Sequence, residues 1–230
     1  YGMHNIPGIK VGEFAVCPGP IMAARDNFEV FVKGRGSHAA MPHQGVDPVV
    51  VGSHIVLALQ TITSRNMDPQ KSLVVSVTQF HAGEAFNIIP DEIILRGTCR
   101  VLDPQIQETL PERLERIVDG VASTFGAKAE LVYHKGYPAT VNSEQASEFC
   151  AEVAKEIAGS NEAVDLKPAP SMGAEDFSYM LQKKPGCYIW TGNGDTAGLH
   201  HPEYDFNDET IAVGASYWAR LVEKRLPKSP

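Results

Sequence analysis

A chain of 230 residues has room for one large domain or two modest ones, and 43% hydrophobic with 21% charged residues is the balance of an ordinary soluble globular protein. The formal net charge of -8 argues against nucleic acid as a partner, because phosphate binding needs a basic face. No apolar run approaches the ~20 residues that span a bilayer, so no membrane segment is expected.

Residues 1–24 are rich in Gly and Pro and read as loops with a strand or two. The chain opens at Tyr1 with no initiator Met, and we expect it to be a piece of something longer. From Asp26 the texture changes. Phe28, Val30 and Val32 alternate along a strand that ends at Gly34. Asp47-Pro48 starts a helix, with Asp as N-cap and Pro in the first turn, and the helix runs to about Arg65. Val51, Ile55, Leu59 and Ile62 share one of its faces. Strands follow at Leu73–Thr78 and Ile93–Val101, with Asn87, Pro90 and Asp91 in the turn between them. Asp103 caps a second helix near Pro104, whose expected apolar face is Ile106, Leu110, Leu114, Ile117, Val121 and Phe125, and Gly126 stops it. Ala129–Tyr133 gives a last strand. The order over 26–136 is β-α-β-β-α-β, the split βαβ or ferredoxin-like pattern. An open edge of such a sheet favours strand-to-strand dimerisation.

After Pro138 a helix is expected near Glu144–Ala158, with Ala146, Cys150, Val153 and Ile157 on one side and Gly159 at its end. A short helix follows Gly173-Ala174-Glu175-Asp176-Phe177. Cys187–Trp190 reads as a buried strand, and Asn207-Asp208-Glu209 opens a last helix striped by Ile211, Ala215, Trp218 and Val222. These elements belong to a layered α/β domain but supply too few strands to complete one. We therefore expect the two ends of the chain to lie together, with the ferredoxin-like unit inserted between them. The four cysteines, Cys17, Cys99, Cys150 and Cys187, lie outside any CxxC spacing, so they form neither a zinc knuckle nor a redox pair. Isolated thiols fit a reducing, cytoplasmic setting.

His4, in Gly2-Met3-His4-Asn5, and His200, in Gly198-Leu199-His200-His201-Pro202, sit in similar loop-like contexts and together look like half of a metal site. A zinc centre needs about three or four ligands. His54 and His134 read as structural, and His43 and His81 lean the same way. His38 lies in a glycine-rich turn, where it is either part of a plain loop or an imidazole N–H that stabilises a developing oxyanion. Asn87 is either a turn-former or an amide donor to a ligand. Arg100 either pairs with an acid or presents its fork to a carboxylate. Glu175 and Asp176 either complement a helix N-terminus or stand near a cationic centre.

Six motifs taken in order resemble the metallopeptidase M20 family, in particular its amidohydrolase branch of hippurate and N-acyl-amino-acid hydrolases. They are Gly2-Met3-His4-Asn5-Ile6-Pro7, Gly34-Arg35-Gly36-Ser37-His38-Ala39, Phe86-Asn87-Ile88-Ile89-Pro90, Gly97-Thr98-Cys99-Arg100, Gly173-Ala174-Glu175-Asp176-Phe177 and Leu199-His200-His201-Pro202. The resemblance implies an α/β catalytic domain of zinc-peptidase type with an inserted ferredoxin-like satellite that mediates homodimerisation. On that division, residues 1–24 and 138–230 are parts of the catalytic domain and 25–137 is the satellite.

The resemblance also implies two divalent metal ions (Zn, Mn, Co or Ni). Their ligands come from a CGHD-type motif, a Glu and two later histidines, which His4 and His200 match, with His201 the rival of His200. The CGHD-type and double-Glu motifs are absent from these 230 residues. His38 matches a satellite histidine that polarises the scissile carbonyl. Asn87 and Arg100 match residues that hold the substrate's carboxylate end, in some relatives across the dimer. The implied activity is metal-dependent hydrolysis of the amide bond in N-acyl amino acids. This piece is expected to be inactive by itself. A dipeptidase or carboxypeptidase of the same superfamily, and a non-catalytic dimerisation and substrate-docking module, are the competing readings.

Overall fold

The computed structural model describes residues 1–226. In chain order the strands and helices are β1 (Gly2–Ile6), β2 (Phe14–Ala15), β3 (Gly19–Met22), β4 (Ala24–Lys33), β5 (Ser37–His38), α1 (Pro48–Arg65), β6 (Leu73–Ala82), β7 (Ile88–Ile89), β8 (Glu92–Val101), α2 (Pro104–Thr124), β9 (Lys128–Tyr137), β10 (Thr140–Asn142), α3 (Glu144–Ala158), β11 (Val164–Asp165), α4 (Ser178–Lys183), β12 (Tyr188–Gly192) and α5 (Glu209–Arg225). They fall into two compact units. One comprises Ala23–Ala139 with Met172–Ala174, and the other Tyr1–Met22, Thr140–Ser171 and Glu175 onward. None of the helices among the described residues is long and apolar enough to cross a membrane.

In the Ala23–Ala139 unit, four strands form an antiparallel sheet in the order β6-β8-β4-β9. Strict alternation along β4 sends Ala24, Asp26, Phe28, Val30 and Val32 inward. They meet Val51, Ile55, Leu59 and Ile62 of α1 and Leu110, Leu114 and Val118 of α2 in one core. Asp47 caps α1 by accepting from the Val49 N–H at 2.8 Å, and Asp103 caps α2 by accepting from the Gln105 N–H at 2.9 Å. Gly126, at φ +73°, follows the C-cap of α2 and ends the helix where a C′ glycine is expected to stop it.

The buried face of α2 matches the expected one in part: Leu110 and Leu114 are in the core and Ile106, Ile117 and Val121 pack against it. Gln107, Leu110, Leu114, Val118 and Ala122 are buried, whereas Ile106, Ile117 and Val121 are half-buried and Phe125 is exposed. The physical reason is Asp26, an acid on the inward face of β4. Its carboxylate accepts from Gln107 Nε2, from Tyr133 Oη at 2.6 Å and from the Gly136 N–H at 2.7 Å. A buried carboxylate must be satisfied, and drawing Gln107 inward turns the helix by about one residue.

In the other unit, a four-stranded sheet runs β1-β12-β2-β11, with β1 and β12 parallel and β12 and β2 antiparallel. β3 and β10 pair separately. Phe14, Cys150, Val153, Ile189, Tyr217 and Leu221 form the main cluster. Gly159, at φ +70°, ends α3. The stripe expected on α5 is corrected as well: Thr210, Tyr217 and Leu221 face inward, while Ile211 (58%) and Val222 (52%) are exposed. Thr210 Oγ1 donates to the Gly192 carbonyl at 2.9 Å, and the Tyr217 ring packs 5.5 Å from Phe14. Those two contacts set the rotation of the helix. All four cysteines are free thiols, and burial pushes Cys99 up to about 12.

Candidate functional site

The sequence singles out five side chains, and the structure places them in three settings. His38 and Asn87 belong together. β5 and β7 form a small ladder that pairs Ser37 with Ile89 and His38 with Ile88, and the Ala39 N–H donates to the Asn87 carbonyl at 3.0 Å. The Asp91 carboxylate accepts from the Gly36 N–H at 2.8 Å, and the Gly34 N–H donates to the Asp91 carbonyl at 2.8 Å. The glycine-rich stretch is therefore pinned to the segment that carries Asn87. The His38 ring is exposed, and its Nδ1 lies 3.1 Å from the Ala40 N–H, from which it accepts. A neutral imidazole that accepts at Nδ1 carries its proton on Nε2. His38 thus presents an N–H donor outward, the form that can stabilise developing negative charge on an oxygen.

Arg100 lies on a different ladder, at the far end of β4–β8. Glu92 pairs with Lys33 at one end of β4–β8, next to the His38 and Asn87 segments, while Arg100 pairs with Arg25 at the other. Arg100 is eight residue steps along the strand from Glu92, about 26 Å at the usual rise. One chain therefore cannot bring its own Asn87 and Arg100 to the same small molecule. Arg100 Nη1 donates to Thr98 Oγ1 and to the Cys99 carbonyl, the latter at 3.0 Å.

His4 sits on β1 opposite Trp190 of β12 and is half-buried. Its Nδ1 is 2.6 Å from the Asn5 carbonyl oxygen. A carbonyl only accepts, so Nδ1 carries the proton and Nε2 keeps its lone pair, the state a metal ligand requires. His4 and His38 are thus held in opposite tautomers by backbone groups one and two residues away.

The next residue anchors the loop that bears His200. Asn5 Nδ2 donates to Asn193 Oδ1 at 3.3 Å and to Tyr204 Oη. Asn193, fully buried, accepts from the Asn207 N–H at 3.0 Å and donates to Thr196 Oγ1 and the Asp205 carbonyl, both at 3.0 Å. His200 is exposed, in a left-handed conformation at φ 65°. The ring of His201 accepts from the Glu203 N–H through Nδ1 at 3.1 Å, which leaves its proton on Nε2. The two neighbours therefore differ: His201 is committed to its own turn, and the His200 ring has no hydrogen-bond partner among the described residues.

Sequence reasoning left Glu175 open and overlooked Tyr188. Tyr188 Oη donates to Glu175 Oε2 at 2.6 Å, and the Phe177 N–H donates to Oε1 at 3.3 Å. The His4 and Tyr188 ring centroids are 6.5 Å apart. Burial pushes the Glu175 carboxyl up, but the bonds from Tyr188 and Phe177, with the neighbouring Asp176, outweigh it and hold the group below the usual range. Burial and the adjacent Glu175 push the Tyr188 hydroxyl up. The result is an ionised carboxylate near His4. The available signal was an acid followed, 13 residues on, by a tyrosine in a strand beside β1.

Three of the other histidines have local partners. His54 stacks on Phe125 at 4.7 Å, His134 lies 3.4 Å from Glu29, and His81 lies 3.1 Å from Gln79. Among the described residues no group of three or more His, Cys, Asp or Glu is placed to hold a metal ion.

The sequence matches the family model described as Peptidase family M20/M25/M40 over residues 1–224. It is 36% identical over 225 residues to N-acetyl-L-cysteine deacetylase of Bacillus subtilis, covering 98% of this chain and 53% of that protein. It is also 36% identical over 226 residues to hippurate hydrolase of Campylobacter jejuni, covering 98% of this chain and 59% of that one. Among solved structures, the fold superposes with a TM-score of 0.80 and 30% identity on the Bacillus subtilis YXEP protein, a dinuclear metal-binding peptidase of the same family, covering 98% of this chain and 56% of that one. The chain thus spans little more than half the length of the relatives it matches.

Proposed function

The chain belongs to peptidase family M20/M25/M40, and from that membership we propose that it forms part of a metal-dependent hydrolase that cleaves the amide bond of N-acyl amino acids. The observation that carries this reading is the pair of opposed tautomers. The Nε2–H of His38 is a donor ready for the oxygen of a scissile carbonyl, and the Nε2 lone pair of His4 is ready for a cation.

His4 and His200 are this chain's contribution to a metal centre. The donor set among the described residues is too small to complete one, so the remaining ligands and the general base come from elsewhere in the assembled enzyme. When bound there, divalent metal supplies an activated water as nucleophile. This chain's own residues do the rest of what is assigned here. His38 Nε2–H stabilises the oxygen of the tetrahedral intermediate. The Asn87 amide and the Arg100 guanidinium orient the carboxylate end of the substrate. Because Arg100 lies about 26 Å from the His38 and Asn87 end of its own sheet, the reading requires two copies of the satellite unit: one lends His38 and Asn87, the other Arg100. Homodimerisation through that unit, of ferredoxin-like type, follows as part of the proposal, as does the N-acyl amino acid as its small-molecule partner.

The test uses the intact enzyme loaded with divalent metal and assayed on hippurate. His38→Ala should lower kcat by about 10²–10³-fold with KM little changed, because the bond it makes is strongest in the transition state. An unchanged kcat removes His38 from the mechanism. Cleavage of dipeptides with no action on N-acyl amino acids would replace the amidohydrolase reading with the peptidase one. Residues 1–230 alone should hydrolyse nothing; metal-dependent release of glycine from hippurate by that chain would overturn the incomplete-site argument.

A further inference from the structure

The outer face of the four-stranded sheet, away from α1 and α2, carries a pair of like charges. Arg25 of β4 and Arg100 of β8 are direct cross-strand partners. Their chain neighbours Ala24, Asp26, Cys99 and Val101 are buried in the core, so both arginines project outward. Arg25 is exposed and Arg100 half-buried. Like charges directly opposite one another destabilise a sheet, and this pair has no local remedy. Among the described residues neither guanidinium forms an ion pair with a carboxylate. On the same strand and face, Arg96 finds Glu29 at 2.7 Å.

The existing contacts of the pair leave donors to spare. Arg25 lies over the Tyr137 ring, 6.0 Å from its centroid. Arg100 directs only Nη1 to protein oxygens, those of Thr98 and Cys99. The acid nearest in sequence, Asp26, faces the core and is taken up by Gln107, Tyr133 and Gly136. Burial, then the charge of Arg25, hold the Arg100 guanidinium below the ordinary arginine range, as expected of a cation short of anions. Each guanidinium is a fork shaped for a carboxylate. Cross-strand Cβ atoms about 5 Å apart suit two carboxylates on one short carbon chain.

We propose that Arg25 and Arg100 together form a subsite for two carboxylates, so that the enzyme selects N-acyl derivatives of dicarboxylic amino acids over those bearing a single carboxylate. The inference rests on the reading of Arg100 as the holder of the substrate's carboxylate, and adds Arg25 as the residue that determines specificity.

Calorimetric titration of the 230-residue chain with N-acetyl-L-glutamate and N-acetyl-L-glutamine tests it, because these probes differ by one charge at nearly equal shape. The wild-type chain should bind the glutamate derivative about tenfold more tightly. Arg25→Gln should bring that ratio to about one, with glutamine-derivative binding unchanged and the far-UV circular dichroism of the wild type. Arg100→Gln should weaken both ligands. A wild-type ratio near one, binding of neither probe, or a ratio that survives Arg25→Gln overturns the inference. So does inorganic phosphate, as a third probe, binding more tightly than either amino-acid derivative in an Arg25-dependent way. If Arg100→Gln leaves both probes unaffected, the underlying assignment of Arg100 fails. If Arg100→Gln weakens both while Arg25→Gln changes nothing, only the two-carboxylate subsite fails.

Discussion

The unit built from Ala23–Ala139 and the unit that flanks it in sequence close their cores by different means. The first has four ten-residue strands, so nearly every backbone group inside it finds a ladder partner. The second gathers three chain segments around strands of two to five residues. There, buried side-chain amides stand in for missing ladder bonds. Asn142 donates to the carbonyls of Cys17 and Tyr188 and accepts from the Tyr188 N–H at 2.7 Å, and Asn193 ties the 193–207 loop to Asn5. Where strands are too short to satisfy the backbone, a few polar side chains must do so. The His200 loop depends on that second kind of closure, and so does the two-residue β5–β7 ladder of His38, which the Asp91 carboxylate pins at Gly36.

The contrast can be broken by mutation. The largest effect is expected for Asp26→Ala, which removes the shared acceptor of the buried Gln107 amide and of the half-buried Tyr133 hydroxyl and Gly136 N–H. At roughly 1–3 kcal/mol for each unsatisfied group, urea unfolding should show a loss of about 4 kcal/mol in the Ala23–Ala139 unit. A loss below about 1 kcal/mol would mean that the polar knot is incidental to that core. Asn193→Ala should cost about 3 kcal/mol, and the loss should be confined to the flanking unit. Hydrogen exchange should then quicken in 193–207 while β4 and β8 keep their protection. Equal quickening in both units would erase the distinction drawn between them. Gly136→Ala should cost about 2 kcal/mol, because an added Cβ would stand 2.1 Å from the Arg25 carbonyl oxygen. A neutral result in thermal melts would show that the β4–β9 bulge can shift to admit it.

The smallest effect concerns pH. The Glu175 carboxyl is lowered from its reference value of 4.5 in the folded protein. The stability it contributes is therefore fully present above about pH 4.5 and lost as pH falls through the lowered folded value. Glu175→Gln should make the flanking unit less sensitive to acid in that window. Identical acid transitions for wild type and variant would assign the shift no share of the stability.

Much of the scaffold is legible in the chain. The Asp47 and Asp103 caps, the stops at Gly126 and Gly159, and the alternation through Phe28, Val30 and Val32 are local signals, and the elements form where these signals place them. The faces of α2 and α5 are less legible. Gln107 turns inward for an acid 81 positions away, and Thr210 reaches a carbonyl 18 positions back. No periodicity within a helix encodes a partner at that distance. The site divides in the same way. His4, His38, Asn87, Arg100 and His200 stand out by residue type and motif, whereas Tyr188 beside Glu175 and Arg25 opposite Arg100 do not.

The sequence by itself determined the long helices and the long strands, the family that the chain resembles, and which histidines deserve notice, while the short strands that hold His4 and His38 read as loops. Caps, turn residues and side-chain alternation act within a turn or a strand, so they survive in a linear string. Tertiary structure alone decided that the Asn87 segment and Arg100 stand at opposite ends of the β4–β8 ladder, and that Arg25 faces Arg100. Register follows from the pairing of strands far apart in the chain, whereas the His4 and His38 tautomers follow from backbone groups one and two residues away.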